Sequence, residues 1–267
     1  MSEQQPIAGE LETAKLADGR EIVAPSAEQA VMLWHAVKGD EYYLEGIRGL
    51  SKGDVVLDVG GNIGLTAMVY ADLVPGIRII SAEPAPSCFA ALRRNLERYV
   101  PDAVAVNAAV GKAPGTMELT YYPESPANST LYADVEDNIN ISKAYMRTTG
   151  MREEFIELHH DSIAATFEKG IVSTVDVVTV GELAERHGVD EVALLKIDVE
   201  RAELDVLEGV PEQLWPKVRR VVTEVHDVEG RLAYVRTLLQ DKGFTVKDGQ
   251  EDLMAGTNVH MLIATRD

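Results

Sequence analysis

The sequence predicts an α/β fold: a doubly wound, mostly parallel sheet with a final antiparallel strand, an N-terminal helical extension and a lid insertion. Short apolar runs such as "VVLDV" (55–59) and "VALLKIDV" (192–199) lack the alternation of a half-wet strand, as do strands covered on both faces. Each run is followed by a turn and then by helical spacing of apolar residues, the rhythm of βαβ units. Three glycines also crowd "DVGGNIG" (58–64) just after the first strand, and ligands of doubly wound sheets sit beyond such strand ends.

The elements follow in order. The start, "MSEQQPIAGELE", is polar and acidic, lacks the basic start and apolar run of a signal peptide, and its first ten or so residues read as disordered. "KLADGREIVAP" (15–25) predicts a hairpin turning at Asp18-Gly19. Residues 27–49 read as helical pieces broken near Gly39, which makes 1–50 an N-terminal extension or helical cap and 51–267 the main domain. There, 55–59 and 78–83 are strands joined by a helix in "LTAMVYADLV". Phe89, Leu92, Leu96 and Tyr99 recur at helical spacing, so 86–99 is an amphipathic helix. "AVAVNAAV" (103–110) reads as a third strand and "GTMELTYY" (115–122) as a fourth. Residues 123–172 break the rhythm; a polar insertion this long is either a lid or a surface excursion. Later come the extended "VSTVDVVTV", the helical "GELAERHG", the strand 192–199 and the helix "AELDVLEGV". The strand "RRVVTEVH" (219–226) precedes a helix carrying Leu232, Val235 and Leu239, which Gly243 is placed to end. "FTVKD" and "NVHMLIATR" form a closing pair of strands.

The chain has 267 residues, enough for one large α/β domain or two small ones. Its net charge of −19 makes it, as a whole, a poor binder of nucleic acid or of an anionic membrane. The single cysteine, Cys88, excludes an intramolecular disulfide and a cysteine zinc cluster, and reads as a small hydrophobe. No apolar run approaches the roughly 20 residues of a membrane span. A cytoplasmic protein is expected.

The glycine turn narrows the ligand. Gly60-x-x-x-Gly64 misses the G-x-G-x-x-G spacing that seats a pyrophosphate. Asp58 at the strand end would repel a pyrophosphate but suits an ammonium or a sulfonium, so S-adenosylmethionine is the expected cofactor, near Asp58, Gly60, Asn62 and Gly64. Glu83 ends the next strand, where an acid can accept from both ribose hydroxyls, with Pro84 beside it. Asn107, with Ala108, is placed to meet the adenine edge.

The second half of the sheet offers acid–base groups. Asp198 and Glu200 are two apart, as are Glu224 and His226, and alternation puts each pair on one face. His226 is the expected general base, because imidazole titrates near neutral pH, with Glu224 orienting its other nitrogen. Asp198 would meet the cofactor's amino-acid end or the acceptor, while Lys196 is expected on the opposite face. His226 can instead be a hydrogen-bonded strand-end residue, and Asp198, Glu224 and His226 can instead bind magnesium. The leading expectation is no metal. Asn128 and Ser129 in "PANST", with Tyr43 and His35, are candidates to touch the substrate.

"VVLDVGGNIGLTAM", "AEPAPSCFAALRRNL", "VNAAVG" and "LLKIDVERAELDVLEGV" together resemble the FkbM-type methyltransferases, over roughly residues 40–265. The resemblance implies a Rossmann-like class I methyltransferase sheet and S-adenosylmethionine-dependent O-methylation. The family commonly has Gly after the Glu of "KIDVE"; here Arg201 stands there, implying a looser turn or a basic side chain towards the site. "WPKVRRVVTEVHDVEGRL" and "LLQDKGF" are similar to O-methyltransferases of polyketide and peptide assembly lines, which act on carrier-tethered hydroxyls. The implied acceptor is a hydroxyl of a polyketide-related, carrier-protein-bound intermediate, with hydroxymalonyl-carrier giving methoxymalonyl as one case. A free sugar or other small metabolite is the alternative acceptor. From other classes, a dinucleotide-dependent oxidoreductase and a non-catalytic binding module compete. Docking to an acidic carrier would need a basic patch, for which Arg147, Arg152, Lys217, Arg219 and Arg220 are the candidates. A homodimer is allowed for; nucleic acid and membrane are not expected partners.

Overall fold

In the computed structural model, which describes residues 10–266, the chain opens with an antiparallel hairpin, β1 (Glu12–Lys15) and β2 (Glu21–Ala24). The disorder expected at the start falls mainly on residues 1–9, which lie outside the described residues. Two helices follow, α1 (Ala27–Gly39) and α2 (Glu41–Ile47), parted by Asp40, whose carboxylate accepts from the Tyr43 N–H (2.8 Å) and caps α2. Next come β3 (Val55–Val59), α3 (Leu65–Leu73), β4 (Arg78–Ala82), α4 (Pro86–Tyr99) and β5 (Ala103–Val106). A detour contains β6 (Ala109–Val110), β7 (Gly115–Tyr121), α5 (Val135–Thr148), α6 (Glu153–Leu158), α7 (His160–Glu168), β8 (Ile171–Val178) and α8 (Val180–Arg186). The chain then returns with β9 (Leu194–Ile197), α9 (Glu203–Glu208), β10 (Arg220–His226), α10 (Arg231–Asp241), β11 (Thr245–Gly249) and β12 (Val259–Thr265).

The central sheet runs β11-β12-β10-β9-β3-β4-β5; β12 pairs antiparallel with both β11 and β10, and all other pairings are parallel. This is a doubly wound, Rossmann-like sheet. The chain winds outward from β3 to β5, then crosses back to β9 on the other side of β3. The crevice that such a reversal opens lies at the carboxyl ends of the strands. Pairing of Val59 with both Ala82 and Ile197 sets the ends of three strands level, so Gly60, Glu83 and Asp198 emerge together.

Alternation along each strand feeds two cores. Leu57, Ile80, Leu195, Val221 and Val225 face α8, α9 and α10. Val56, Ile79, Leu194 and Val222 face the other way, and Trp34, Leu16 and Ile22 of the N-terminal segment pack into that same core. Asn95 of α4 joins the two parts. Its Nδ2 donates to the Val23 carbonyl (2.9 Å) and the Ile63 carbonyl (2.8 Å), and its Oδ1 accepts from the Val23 N–H (2.9 Å).

One predicted strand is two. Residues 103–110 break at Asn107 and Ala108, so β5 stays in the central sheet while β6 pairs with β8 in a separate sheet of order β6-β8-β7. The Asn107 side chain donates to the Glu83 and Pro84 carbonyls (2.9 and 3.3 Å), which hooks the chain across the end of β4. The fourth predicted strand, β7, therefore belongs to this side sheet. Between the side sheet and α4, Cys88 is buried beside Leu119, Tyr121 and Val177. The 123–172 insertion contains α5, α6 and α7 and rejoins the sheet at β8. Among the described residues, no helix is long and apolar enough to cross a membrane.

Replacing Asn95 by Ala leaves the buried Ile63 carbonyl and the part-buried backbone groups of Val23 without partners. Each such group costs about 1–3 kcal/mol. Asn95→Ala is expected to lower the urea midpoint without changing the fold, and hydrogen exchange should show the β1–β2 hairpin loosening first.

Candidate active site

A cavity of ≈ 330 Å³ opens at the carboxyl ends of β3, β4, β9 and β10. Gly60, Asn62, Glu83, Pro84 and Ala108 line one side, and Asp198, Glu200, Glu224 and His226 the other. Tyr43 of α2 and Asn128 and Ser129 of the insertion complete the wall. The fold thus gathers residues from seven separate segments.

The glycine turn answers first to the protein itself. Gly60 and Gly64 take φ of 80° and 88°, left-handed values that glycine adopts freely. A Cβ at Gly60 would sit 1.6 Å from the Asp198 carbonyl oxygen, and one at Gly61 would sit 1.9 Å from Ser81 Oγ. The close approach that the glycines permit is that of β9 and β4. Gly64 starts α3 and lies against Leu92 and Leu96, outside the cavity wall, contrary to its expected cofactor contact.

Asp58 also departs from expectation. It is fully buried, accepts from Ser81 Oγ (2.6 Å), and lies 3.2 Å from Lys196 Nζ. Its charge is matched inside the protein, so it does not face a ligand. Lys196 shares the parity of Asp198 on β9 and is not on the opposite face: its Nζ donates to the Gly60 carbonyl (2.7 Å) and lies 3.4 Å from Asp198 Oδ2. Asn107 is likewise outside the cavity wall, because its amide is used on the Glu83 and Pro84 carbonyls.

Glu83 accepts the Asn62 N–H on one oxygen (2.9 Å) and the Ala85 N–H on the other (2.8 Å). Each oxygen keeps a further lone pair for a cavity ligand. Burial pushes its carboxyl up from an ordinary 4.5 to about 7, despite those two donors and Lys196, which pull the other way.

At the other side, His226 sits among acids. Glu224 was expected to hold its second nitrogen, but Glu203 of α9 does so: Nδ1 lies 3.0 Å from Glu203 Oε1. Nε2 faces Glu200 at 3.4 Å, and Glu224 is 4.0 Å away. Sequence proximity suggested Glu224; the return of α9 under β10 decided for Glu203. Burial alone would lower the imidazole pKa, yet hydrogen bonding and attraction from Glu200 and Glu203 hold it well above its usual value. The Glu224 carboxyl is pushed well up by burial and then by Asp198. Glu200, Glu224 and His226 each present a ligand atom within 4.8 Å of the others, a spacing that a divalent cation can bridge. Glu200, rather than Asp198, completes that trio.

The family model of the methyltransferase FkbM domain matches residues 58–246. The chain belongs to the FkbM methyltransferase family. Among its relatives is the 31-O-demethyl-FK506 methyltransferase FkbM of Streptomyces tacrolimicus, 36% identical over 96% of this chain and 97% of the relative. Methyltransferase 1 of Beauveria bassiana is 35% identical over 79% of this chain and 81% of its own. The AMB antimetabolite synthetase AmbE of Pseudomonas aeruginosa is 31% identical over 94% of this chain, which spans only 12% of that much longer protein.

In this FkbM-family chain the cavity is also lined by residues the sequence did not single out. Asp40 and Glu251 line the cavity. The Asp40 carboxyl is raised to about 7 by burial, against the Tyr43 N–H bond, and further by Glu251. Tyr43 donates its hydroxyl to Asp198 Oδ2 (2.8 Å). Asn128 Oδ1 accepts from Ser125 Oγ (2.6 Å), and Ser129 Oγ accepts from the Tyr122 N–H (3.3 Å). His35 points away: it is exposed on α1, while Leu33, Ala36 and Val37 of that helix line the cavity.

The candidate basic residues do not form one patch. Arg219 pairs with Asp54, Arg220 is spent on the Glu45, Gly46 and Arg48 carbonyls, and both stand at the start of β10, the end away from the cavity. Arg147 pairs with Glu153 in the insertion (2.6 Å).

The raised carboxyls fix a sign. A carboxyl whose folded pKa is raised keeps a proton that the unfolded chain gives up, so stability is lost as pH rises between the two values. For Glu83 that window runs from 4.5 to about 7, and for Asp40 from 3.8 to about 7. His226, also raised, contributes stability below its unfolded value and loses it above its folded one. The Tm of the ligand-free protein is expected to fall from about pH 5 to about pH 8. Glu83→Gln should flatten part of that fall, and equal Tm–pH curves for the two proteins would refute the assignment.

Proposed function

We propose that this methyltransferase moves the methyl group of S-adenosylmethionine to a hydroxyl oxygen, with His226 as general base. The observation carrying this reading is His226 itself: a buried imidazole fixed at Nδ1 by Glu203, with Nε2 turned to the cavity. S-adenosylmethionine, when bound, supplies an electrophilic methyl on a sulfonium. The cavity suits such a cation. Among the described residues its wall has Asp40, Glu83, Asp198, Glu200, Glu224 and Glu251, and no lysine or arginine side chain. Glu83 would take the ribose hydroxyls, Gly60, Asn62, Pro84 and Ala108 would pack the nucleoside, and Asp198 would face the amino-acid end.

The acceptor hydroxyl loses its proton to His226 Nε2, and the resulting imidazolium is stabilised by Glu203 and Glu200. These acids also hold the proton on His226 in the ligand-free protein, so the base is available only at higher pH. Positive charge placed in the cavity weakens that hold.

The acceptor we favour is a hydroxyl of a polyketide-related intermediate, carrier-bound or free. Relatives named for FK506 methylation and for an antimetabolite synthetase support natural-product chemistry. Hydroxymalonyl-carrier is the harder fit, because no cation on the cavity wall would neutralise its free carboxylate. An uncharged hydroxyacyl group suits the acidic wall better, and a free sugar is the alternative. Presenting hydroxymalonyl-carrier, an uncharged 3-hydroxyacyl-carrier and the free hydroxy compounds separates these, and methylation of the free compounds alone would end the carrier reading.

His226→Asn is expected to cut kcat about 10²–10⁴-fold, the usual contribution of a positioned base. Calorimetry should find S-adenosylhomocysteine bound with similar affinity in both proteins. Wild-type kcat/KM should climb as pH rises above neutrality, and EDTA should leave it unchanged. Undiminished turnover in His226→Asn removes His226 from the mechanism, and EDTA inhibition assigns Glu200, Glu224 and His226 to a metal.

A further inference from the structure

Arg201 stands in a conformation that suits glycine. Its φ is 80°, and Glu200 before it has φ 51°, so two successive side-chain-bearing residues are left-handed. The turn after "KIDVE" is therefore as tight as a glycine would make it, and the arginine does not point into the cavity. Its side chain is buried and runs to the first turn of α5. There Nη2 donates to Asp137 Oδ2 and to Asn138 Oδ1 (both 2.6 Å), and Nε donates to Asp137 Oδ2 (3.1 Å). Asn258 Nδ2 donates to the other Asp137 oxygen (2.9 Å), which ties the same turn to the start of β12.

The backbone of Arg201 serves the opposite side. Its N–H donates to Glu203 Oε1 (2.8 Å), the oxygen that holds His226, and its carbonyl accepts from Arg231 Nη1 (2.8 Å). One residue thus joins the insertion to the imidazole's partner. Along α5, Ile141 lies one turn beyond Asn138 on the same face, and it lines the cavity. The depth of Ile141 in the cavity follows from where the first turn of α5 is held. The clamp is incompletely satisfied: Arg201 Nη1, Asn138 Nδ2 and Asn258 Oδ1 are buried without partners.

We propose that Arg201 is a specificity-determining positioning residue, whose guanidinium clamps α5 over the cavity and so sets how far Ile141 restricts the acceptor. The inference rests on the cavity being the methyl-transfer site. It accounts for an arginine held in a strained turn: the clamp to α5 offsets the backbone strain.

Arg201→Gly separates the two roles, because glycine keeps the turn and the N–H to Glu203 while deleting the clamp. Hydrogen exchange on the full chain should show amides of 135–141 opening at least about tenfold faster, with the central strands unchanged. S-adenosylhomocysteine affinity should stay within about threefold by calorimetry. For whichever hydroxy compound turns over, KM should rise about tenfold with kcat and its pH profile little changed, as expected when binding alone is lost. Arg201→Lys, which keeps charge but not the fork, should recover only part of the effect. Should Arg201→Gly fail to fold, Asp137→Asn breaks the clamp from the α5 side and is expected to give the same local exchange. Unaltered exchange in α5, or acceleration spread evenly over the chain, overturns the proposal. If the wild-type protein fails to bind S-adenosylhomocysteine, the methyl-transfer reading falls, and the exchange data still decide the clamp.

Discussion

Lys196 carries a positive charge at a place that water does not reach, between Asp58 at 3.2 Å and Asp198 at 3.4 Å, with its third contact on the Gly60 carbonyl. Removing Lys196 would leave the fully buried Asp58 uncompensated, a change that typically costs about 3–5 kcal/mol. The ion cluster therefore locks β3 to β9 at the point where the winding of the sheet reverses. It fixes the glycine turn on one side and Asp198 on the other, and the cavity is the space left between them. Asp198 passes the constraint on to Tyr43, and so to α2 of the N-terminal extension.

Charge organises the rest of the cavity by burial. Burial raises the carboxyls of Glu83, Asp40 and Glu224, and neighbouring acids add to the rise. Glu200 and Glu203 act on His226 in the other sense, because against its burial they favour the protonated imidazole. A cavity built this way presents carboxyl groups and, among the described residues, no lysine or arginine side chain. The acidic wall is thus a statement about chemistry as much as about stability.

The insertion is coupled to this arrangement at a few points. Thr130 donates to the Glu200 carbonyl, and Arg201 reaches Asp137 and Asn138. Both contacts converge on the left-handed turn after β9. A segment of three helices is thereby held by the residues that also position His226, so closure over the cavity and orientation of the imidazole share one piece of backbone.

Local sequence determined most elements, because apolar runs and helical spacing are properties of neighbouring residues. The 86–99 helix, the hairpin at Asp18-Gly19, the break near Gly39 and the closing strands could be read that way, as could the convergence of Gly60, Glu83, Asp198, Glu224 and His226 at strand ends. Tertiary structure alone decided which charges meet. Asp58 and Asp198 are equally acidic in the sequence, yet the register of β3 with β9 buries one against Lys196 and leaves the other on the cavity wall. His226 is two residues from Glu224, yet its Nδ1 meets Glu203, because α9 folds back beneath β10. Asn107 missed the cavity because its amide is used on the Glu83 and Pro84 carbonyls, and His35 because it lies on the exposed face of α1.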